Sequence, residues 1–203
     1  MKQKTSKPGK DFNTTMSLLS DEDIAKWEHV DSLTDQKDIL EVALHNEDGV
    51  LREIAVRKLK NKEALENIAA KDPDALVRWE AVRLVDNQTL LTNLVTTEPA
   101  WEVRLEILEK IQDKSTLVNI ATTDKDNWVR LYAAIRAHNQ PLLEDMALTC
   151  EDWCIRIDSL EHIQEERILR QISQQDPSEL VRLEAEYELQ SRRGQRVDET
   201  RTA

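Results

Sequence analysis

Apolar residues recur along this chain on two interleaved periods. The short period is helical. Leu65, Ile68 and Ala69 stand at i, i+3 and i+4, a spacing that places them on one face of an α-helix. The same triplet returns as Ile39/Val42/Ala43, Leu91/Leu94/Val95, Leu117/Ile120/Ala121, Leu143/Met146/Ala147 and Leu169/Ile172/Ser173, always 26 residues on. A second set keeps the same interval: Ala25, Leu51, Val77, Val103, Val129, Ile155 and Val181. Three of its neighbouring columns are also in register. The residue that follows is basic in every copy: Lys26, Arg52, Arg78, Arg104, Arg130, Arg156 and Arg182. Three places after the basic residue stand His29, Ala55, Ala81, Ile107, Ala133, Ser159 and Ala185, mostly small. Seven places after it stand Leu33, Leu59, Val85, Ile111, Ala137, Ile163 and Leu189, mostly apolar. Internal repetition without insertion or deletion predicts stacked supersecondary units. Each unit reads as two helices of about ten residues joined by short loops.

Cap chemistry marks the helix starts. Asp35, Asn61, Asn87, Asp113 and Asn139 precede the first helix of successive units and can accept from its free N–H groups. Pro141 falls in a first turn, where proline is tolerated. The second helix follows "DPD" at 72–74 and "DPS" at 176–178, where proline is expected to open the helix and an acid to cap it.

On a wheel of about 100° per residue, the recurrent arginine lies between Val77 and Val82, in the middle of the apolar arc. A guanidinium keeps its proton, so burial there demands a carboxylate or several carbonyls. Six residues before the arginines stand Asp72, Glu98, Asp124 and Asp176. A ladder of these acids with Arg78, Arg104, Arg130, Arg156 and Arg182 would pin the stack. Each acid could meet the arginine of its own unit or of a neighbour. Two units lack the acid, having Asn46 and Cys150, so Asp152 or backbone must substitute at the latter.

The acidic residue, the "VR" six places on and the small residue three beyond resemble the HEAT-repeat signature in its short bacterial form. "DPDALVRWEAVRLV" is the nearest copy, and the match covers about residues 21–190. A weaker similarity links the units to leucine-rich repeat variants, whose iron–sulfur cysteine cluster is missing here. The resemblance implies an all-α, right-handed α-solenoid of about seven 26-residue two-helix HEAT-like repeats, one helix of each pair lining a concave face. It also implies work as a scaffold or binding module. Solenoids need atypical, polar ends. Ser20 with Asp23 resembles a capping box at the start. Residues 178–194 form one charged helix, with Gly194 as its stop.

Charge refines this picture. The net charge is −12, with basic ends at 1–20 and 191–203, expected as disordered tails, around an acidic body. That body disfavours nucleic acid as a partner, because affinity for phosphates needs Lys and Arg. The longest apolar runs are too short to cross a membrane. Two cysteines, Cys150 and Cys154, form no disulfide framework and fit a reducing cytoplasm. His29, His45, His138 and His162 make no motif; Glu28–His29 and Glu161–His162 reverse the order used by iron-binding HEAT-like hydroxylases. With three glycines there is no phosphate loop, and neither a nucleophile motif nor a metal or cofactor set emerges.

Two columns carry the functional expectation. Two places after the basic residue stand Glu28, Ile54, Glu80, Glu106, Tyr132, Asp158 and Glu184, which the wheel puts on the polar side. A row of carboxylates would attract a basic protein or peptide. Trp27 and Trp79 share an apolar column, as does Trp128 with Val50, Leu76 and Leu180, and these are expected in the core. Trp101 and Trp153 share a column with Asp23, Gly49 and Glu179, so they either cover loop edges or anchor a partner. The reading is a monomeric, non-enzymatic adaptor with an acidic concave surface. The alternative is an enzyme or metal-handling protein using His and Cys groups along the groove.

Overall fold

A computed structural model of the chain describes residues 20–201, with side chains up to residue 193. The expected N-terminal tail, apart from Ser20, lies outside the described residues, as do residues 202 and 203. Among the described residues the chain is all-helical, with thirteen helices and no strand. They are α1 (Asp21–Ser32), α2 (Gln36–His45), α3 (Gly49–Lys58), α4 (Lys62–Lys71), α5 (Ala75–Leu84), α6 (Gln88–Thr97) and α7 (Trp101–Lys110). They continue as α8 (Lys114–Thr123), α9 (Asn127–Arg136), α10 (Gln140–Thr149), α11 (Trp153–Leu160), α12 (Glu166–Gln175) and α13 (Glu179–Arg201). None of these helices is long and apolar enough to cross a membrane.

The chain divides into two compact units at Val85/Asp86. In the first, α2 pairs with α3 and α4 with α5, while α3 lies against both α1 and α5. In the second, α6–α7, α8–α9, α10–α11 and α12–α13 are the pairs, and α7, α9, α11 and α13 each pack on the next. The two apolar sets of the sequence meet inside each unit. Ile39 and Leu65 of the first helices, with Leu51 and Val77 of the second, are buried in the first unit. Leu91, Leu117, Leu143 and Leu169 meet Val103, Val129, Ile155 and Val181 in the second. Ala55, Ala81, Ala133, Ser159 and Ala185 have no exposed surface, so the small column is where backbones approach.

The expected caps form. Asp35, Asn61, Asn87, Asp113 and Asn139 each accept from an N–H of the first turn. Ser20 accepts from the Asp23 amide at 3.1 Å and donates its hydroxyl to the Asp23 carboxylate. "DPD" works differently from the expectation: Asp74 is the cap, so Pro73 sits just outside the helix rather than opening it. Nor does Gly194 stop α13, which runs through it to Arg201, across most of the stretch expected as a tail. One interior glycine costs only about 1 kcal/mol relative to alanine, too little to end a helix.

Arg52, Arg104 and Arg156 each take two kinds of partner from two different loops. The loop six residues upstream supplies carbonyls: Asn46 and Glu47 to Arg52, Asp72 and Pro73 to Arg78, Glu98 and Pro99 to Arg104, and Cys150 and Glu151 to Arg156. The carboxylate comes from the loop 20 residues downstream. Asp72 takes two donors of Arg52 at 2.8 Å, Asp124 two of Arg104 at 2.8 and 2.9 Å, and Asp176 two of Arg156 at the same distances. All three arginines are buried. The carboxylates of Asp72, Asp124 and Asp176 therefore grip the arginine of the repeat before their own, not the arginine six residues on. Each of these aspartates also accepts from the amide two residues on, at Asp74, Asp126 and Ser178, which fixes the loop.

This register explains both breaks in the ladder. Arg52 and Arg156 need no acid at 46 or 150, because they ask only for carbonyls there. Arg130 is the arginine that suffers, since the residue 20 places on is Cys150. It is only half-buried and donates to the Asp124 carbonyl at 3.3 Å and to the Asn127 side chain. Arg182 is likewise half-buried on the Asp176 carbonyl at 2.6 Å. Lys26, whose corresponding residue is Asn46, is exposed and pairs along its helix with Glu22 at 2.7 Å. Cys150→Asp should therefore complete a bidentate pair with Arg130 and raise the melting temperature of the full chain. Cys154→Asp, outside the register, should not; thermal unfolding of the two variants checks this.

A second clamp appears at the starts of α2, α6 and α10. Gln36, Gln88 and Gln140 donate to the carbonyls of Lys58, Lys110 and His162 at 3.1, 3.0 and 2.8 Å. Their side-chain oxygens accept from the amides of Lys60, Gln112 and Gln164. These glutamines sit 52 residues apart, one in every second repeat, tying a first helix to the chain leaving its partner.

Candidate functional site

The column expected to offer carboxylates to solvent is not uniform. Glu80 is buried and already neutralised, 3.1 Å from Arg83 and 3.7 Å from Arg57, so it cannot recruit a partner. Ile54 is buried too. Glu106, Tyr132 and Glu184 are half-buried, and only Glu28 and Asp158 are exposed. The wheel misleads here because it shows one helix alone. This column is opposite the core of its own pair, but the second helices also pack on one another, which covers part of that side. Burial, reinforced by Glu109, pushes the Tyr132 hydroxyl up to about 12. At Asp158, desolvation of the carboxyl followed by the nearby Glu161 charge raises its pKa, so it ionises less readily than an ordinary aspartate.

The apolar columns also depart from expectation, in the opposite sense. Trp128 is exposed, as are its column mates Val50, Leu76 and Leu180. Trp101 and Trp153 are exposed at 40% and 45%, which decides between covering loop edges and standing free. Trp27 and Trp79 are half-buried rather than in the core, and the Arg83 guanidinium lies 4.9 Å from the Trp79 ring centroid. The warning was present in the sequence: Glu102 shares the Trp128 column, and a column that accepts an exposed glutamate is not a core column.

These side chains occupy two adjacent positions of the first turn. Trp101, Trp128, Trp153 and Leu180 are the first or second residues of α7, α9, α11 and α13. Those helices pack side by side in the second unit, so the four first turns that carry these side chains form a row. Carboxylates are interleaved with the row. Asp126 caps α9 by accepting from the amides of Trp128 and Val129, and Asp152 caps α11 by accepting from Cys154. Glu102, Glu151 and Glu179 are exposed beside them. Beyond the row, α13 continues apolar with Leu183 and Tyr187 both about half exposed. An indole face attracts cations through its ring quadrupole, and flanking carboxylates add to the attraction.

The groups considered for other chemistry are scattered. Among the described residues no three His, Cys, Asp or Glu side chains are placed to hold a metal ion. Cys150 and Cys154 are free, half-buried thiols, and burial raises the pKa of Cys154, away from thiolate reactivity. His29, His45 and His138 are exposed, while His162 is half-buried and faces Glu161 at 3.2 Å. No family model, curated protein or solved structure matches this chain.

Proposed function

We propose that the protein is a HEAT-like binding module, a right-handed solenoid of about seven repeats, whose second unit holds a basic, extended segment of another protein. The observation that carries this reading is the row Trp101, Trp128, Trp153 and Leu180 on four adjacent helix starts. Exposed large apolar side chains repeated in the first turn of every layer are costly to solubility unless something covers them. The carboxylates among them select a cationic occupant rather than an acidic one. An extended chain advances about 3.3 Å per residue. Helices pack about 8–10 Å apart, so every third residue of the segment would meet one layer, with Arg or Lys over the indoles. The pair Arg83–Trp79 shows that geometry within the chain itself.

The test uses synthetic peptides with Arg and Leu at every third position and, as controls, the same peptides with Glu for Arg. Tryptophan fluorescence of the full chain should change saturably with the basic peptide and weaken as salt is raised. The triple variant Trp101→Ser/Trp128→Ser/Trp153→Ser should melt near the parent temperature and lose at least tenfold in affinity. Equal binding of the acidic peptide, or a stable dimer broken by the same substitutions, would contradict the reading.

A further inference from the structure

Neighbouring repeats join through a recurrent set of side chains, and two helices of this chain each display one half of that set. α9 and α11 lie between two second helices, whereas among the described residues α1 packs on α3 and α13 on α11, each on one side only. Contacts inside the units define the register. The residue five places after a rung arginine faces those two and six places after the arginine of the next repeat. Arg57 lies 3.7 Å from Glu80, and Glu109 lies 3.2 Å from Arg136 and bonds Tyr132.

On α13 the half that faces a following repeat stands open. Leu183 is 53% exposed, while Leu131, its counterpart in α9, is 2% exposed. Tyr187, five places after Arg182, is 48% exposed. Arg182 donates to the Asp176 carbonyl, and no carboxylate bonds it among the described residues. Glu186 and Arg193 lie on the same side of the helix as Arg182, so this face carries both signs. On α1 the half that faces a preceding repeat stands open. Asp21, Ala25, Glu28 and Ser32, at i, i+4, i+7 and i+11, are all exposed along one face. Glu28 and Ser32 are the residues two and six places after Lys26, and Glu80, in the column of Glu28, is buried near Arg57 of the repeat before it. Ala25 shares its column with Leu51 and Val77, both buried. Ser20 stands in the column of the rung acids Asp72 and Asp124 and is followed by three acids. Ser20 holds Asp23 and Lys26 holds Glu22, which leaves the carboxylate of Asp21.

We propose that a second copy of this chain docks its α1 on the open face of α13, in the register that joins neighbouring repeats. Asp21 of one copy then gives Arg182 of the other the carboxylate that Asp72, Asp124 and Asp176 give the rungs inside the stack. Ala25 covers Leu183, and Glu28 meets Tyr187 as Tyr132 meets Glu109. The pairing is head-to-tail, so each copy keeps one open end and further copies can add. It does not use the tryptophan row. Sedimentation velocity of the full chain over a concentration series reaching about 1 mM, which detects even weak association, tests it. The average mass should rise with concentration. Leu183→Glu/Tyr187→Glu, which blocks the α13 face, and Asp21→Arg/Glu28→Arg, which blocks the α1 face, should each be monomeric. All four side chains are exposed, so both variants should melt near the parent temperature. Mixed in equal amounts, the two variants should form a dimer and nothing larger, because one free face of each kind remains. The triple tryptophan variant should assemble like the parent. The proposal is overturned by a parent chain that stays monomeric at the highest concentration or by a mixture that stays monomeric. Self-association of the α1-blocked variant alone, which would mean α13 pairing with α13, or loss of assembly in the tryptophan variant, would also overturn it.

Discussion

Asp124→Ala should destabilise the chain by about 3–5 kcal/mol, as expected when one partner of a buried ion pair is removed. The aspartate closes two charge-assisted bonds to Arg104, which is 2% exposed, and its backbone carbonyl side holds the next arginine, Arg130. Its loss leaves a guanidinium with carbonyl partners but no countercharge, in a seam that water does not reach. Most of the cost is the orphaned charge, not the worth of the pair. The double variant Arg104→Met/Asp124→Leu should therefore recover much of the loss, because it removes both charges and leaves apolar bulk. Urea unfolding of parent, single and double variants measures the coupling. The effect should be confined to rungs that have an acid 20 residues downstream. Removing the carboxyl of Asp152, which caps α11, should cost only about 1 kcal/mol, the usual worth of an N-cap.

Ile107→Ala should cost about 2–5 kcal/mol, the range for truncating a fully buried branched side chain. Column counting points the other way. Four of the seven repeats have alanine at this position and one has serine, so substitution toward the commonest residue would pass as neutral or stabilising. The layer built by α7 has instead filled its space: Ile107, Leu108 and Ile111 have no exposed surface. Truncation there leaves a cavity rather than restoring a close approach. The reverse change, Ala133→Ile, should be unfavourable by about 1–3 kcal/mol through overpacking. Thermal and urea unfolding of both variants check the pair of signs. Two gains of stability would mean that repeats of this chain are interchangeable parts, which the packing contradicts.

Helix positions, caps and the buried arginine were legible because each depends on local chemistry that repeats. Apolar triplets, Asp or Asn before a first turn, and a charge inside an apolar arc need no knowledge of neighbours. The direction of the ladder was not legible. An acid six residues before an arginine is nearer in sequence than one 20 residues after it, yet a loop carbonyl takes that place and the carboxylate turns to the preceding repeat. The missing acids were the available clue: with a reach of 20 residues, Cys150 affects Arg130, the arginine that the structure leaves half-buried. The binding surface was only half legible. Trp101 and Trp153 stood out by their polar columns, while Trp128, Val50, Leu76 and Leu180 read as core from residue type alone. Position decided otherwise, because first-turn side chains of these helices lie at the rim of each layer. Glu80 was misjudged for the converse reason, since a wheel drawn for one helix omits Arg57, which α3 brings alongside. The ends of α9 and α11 break the repeat's own habit, and no column of residues encodes that break.

The arginine side chains themselves give the most direct test. Solvent exchange of each arginine Nε proton, followed by nitrogen-15 NMR on the full chain, reads burial and carboxylate pairing rung by rung. Arg52, Arg104 and Arg156 should exchange slowly and at shifted frequencies, while Arg130 exchanges as fast as a surface arginine and becomes slow in Cys150→Asp. Uniform fast exchange at all four, or slow exchange at Arg130 in the parent chain, would contradict the clamp from which the rest is built.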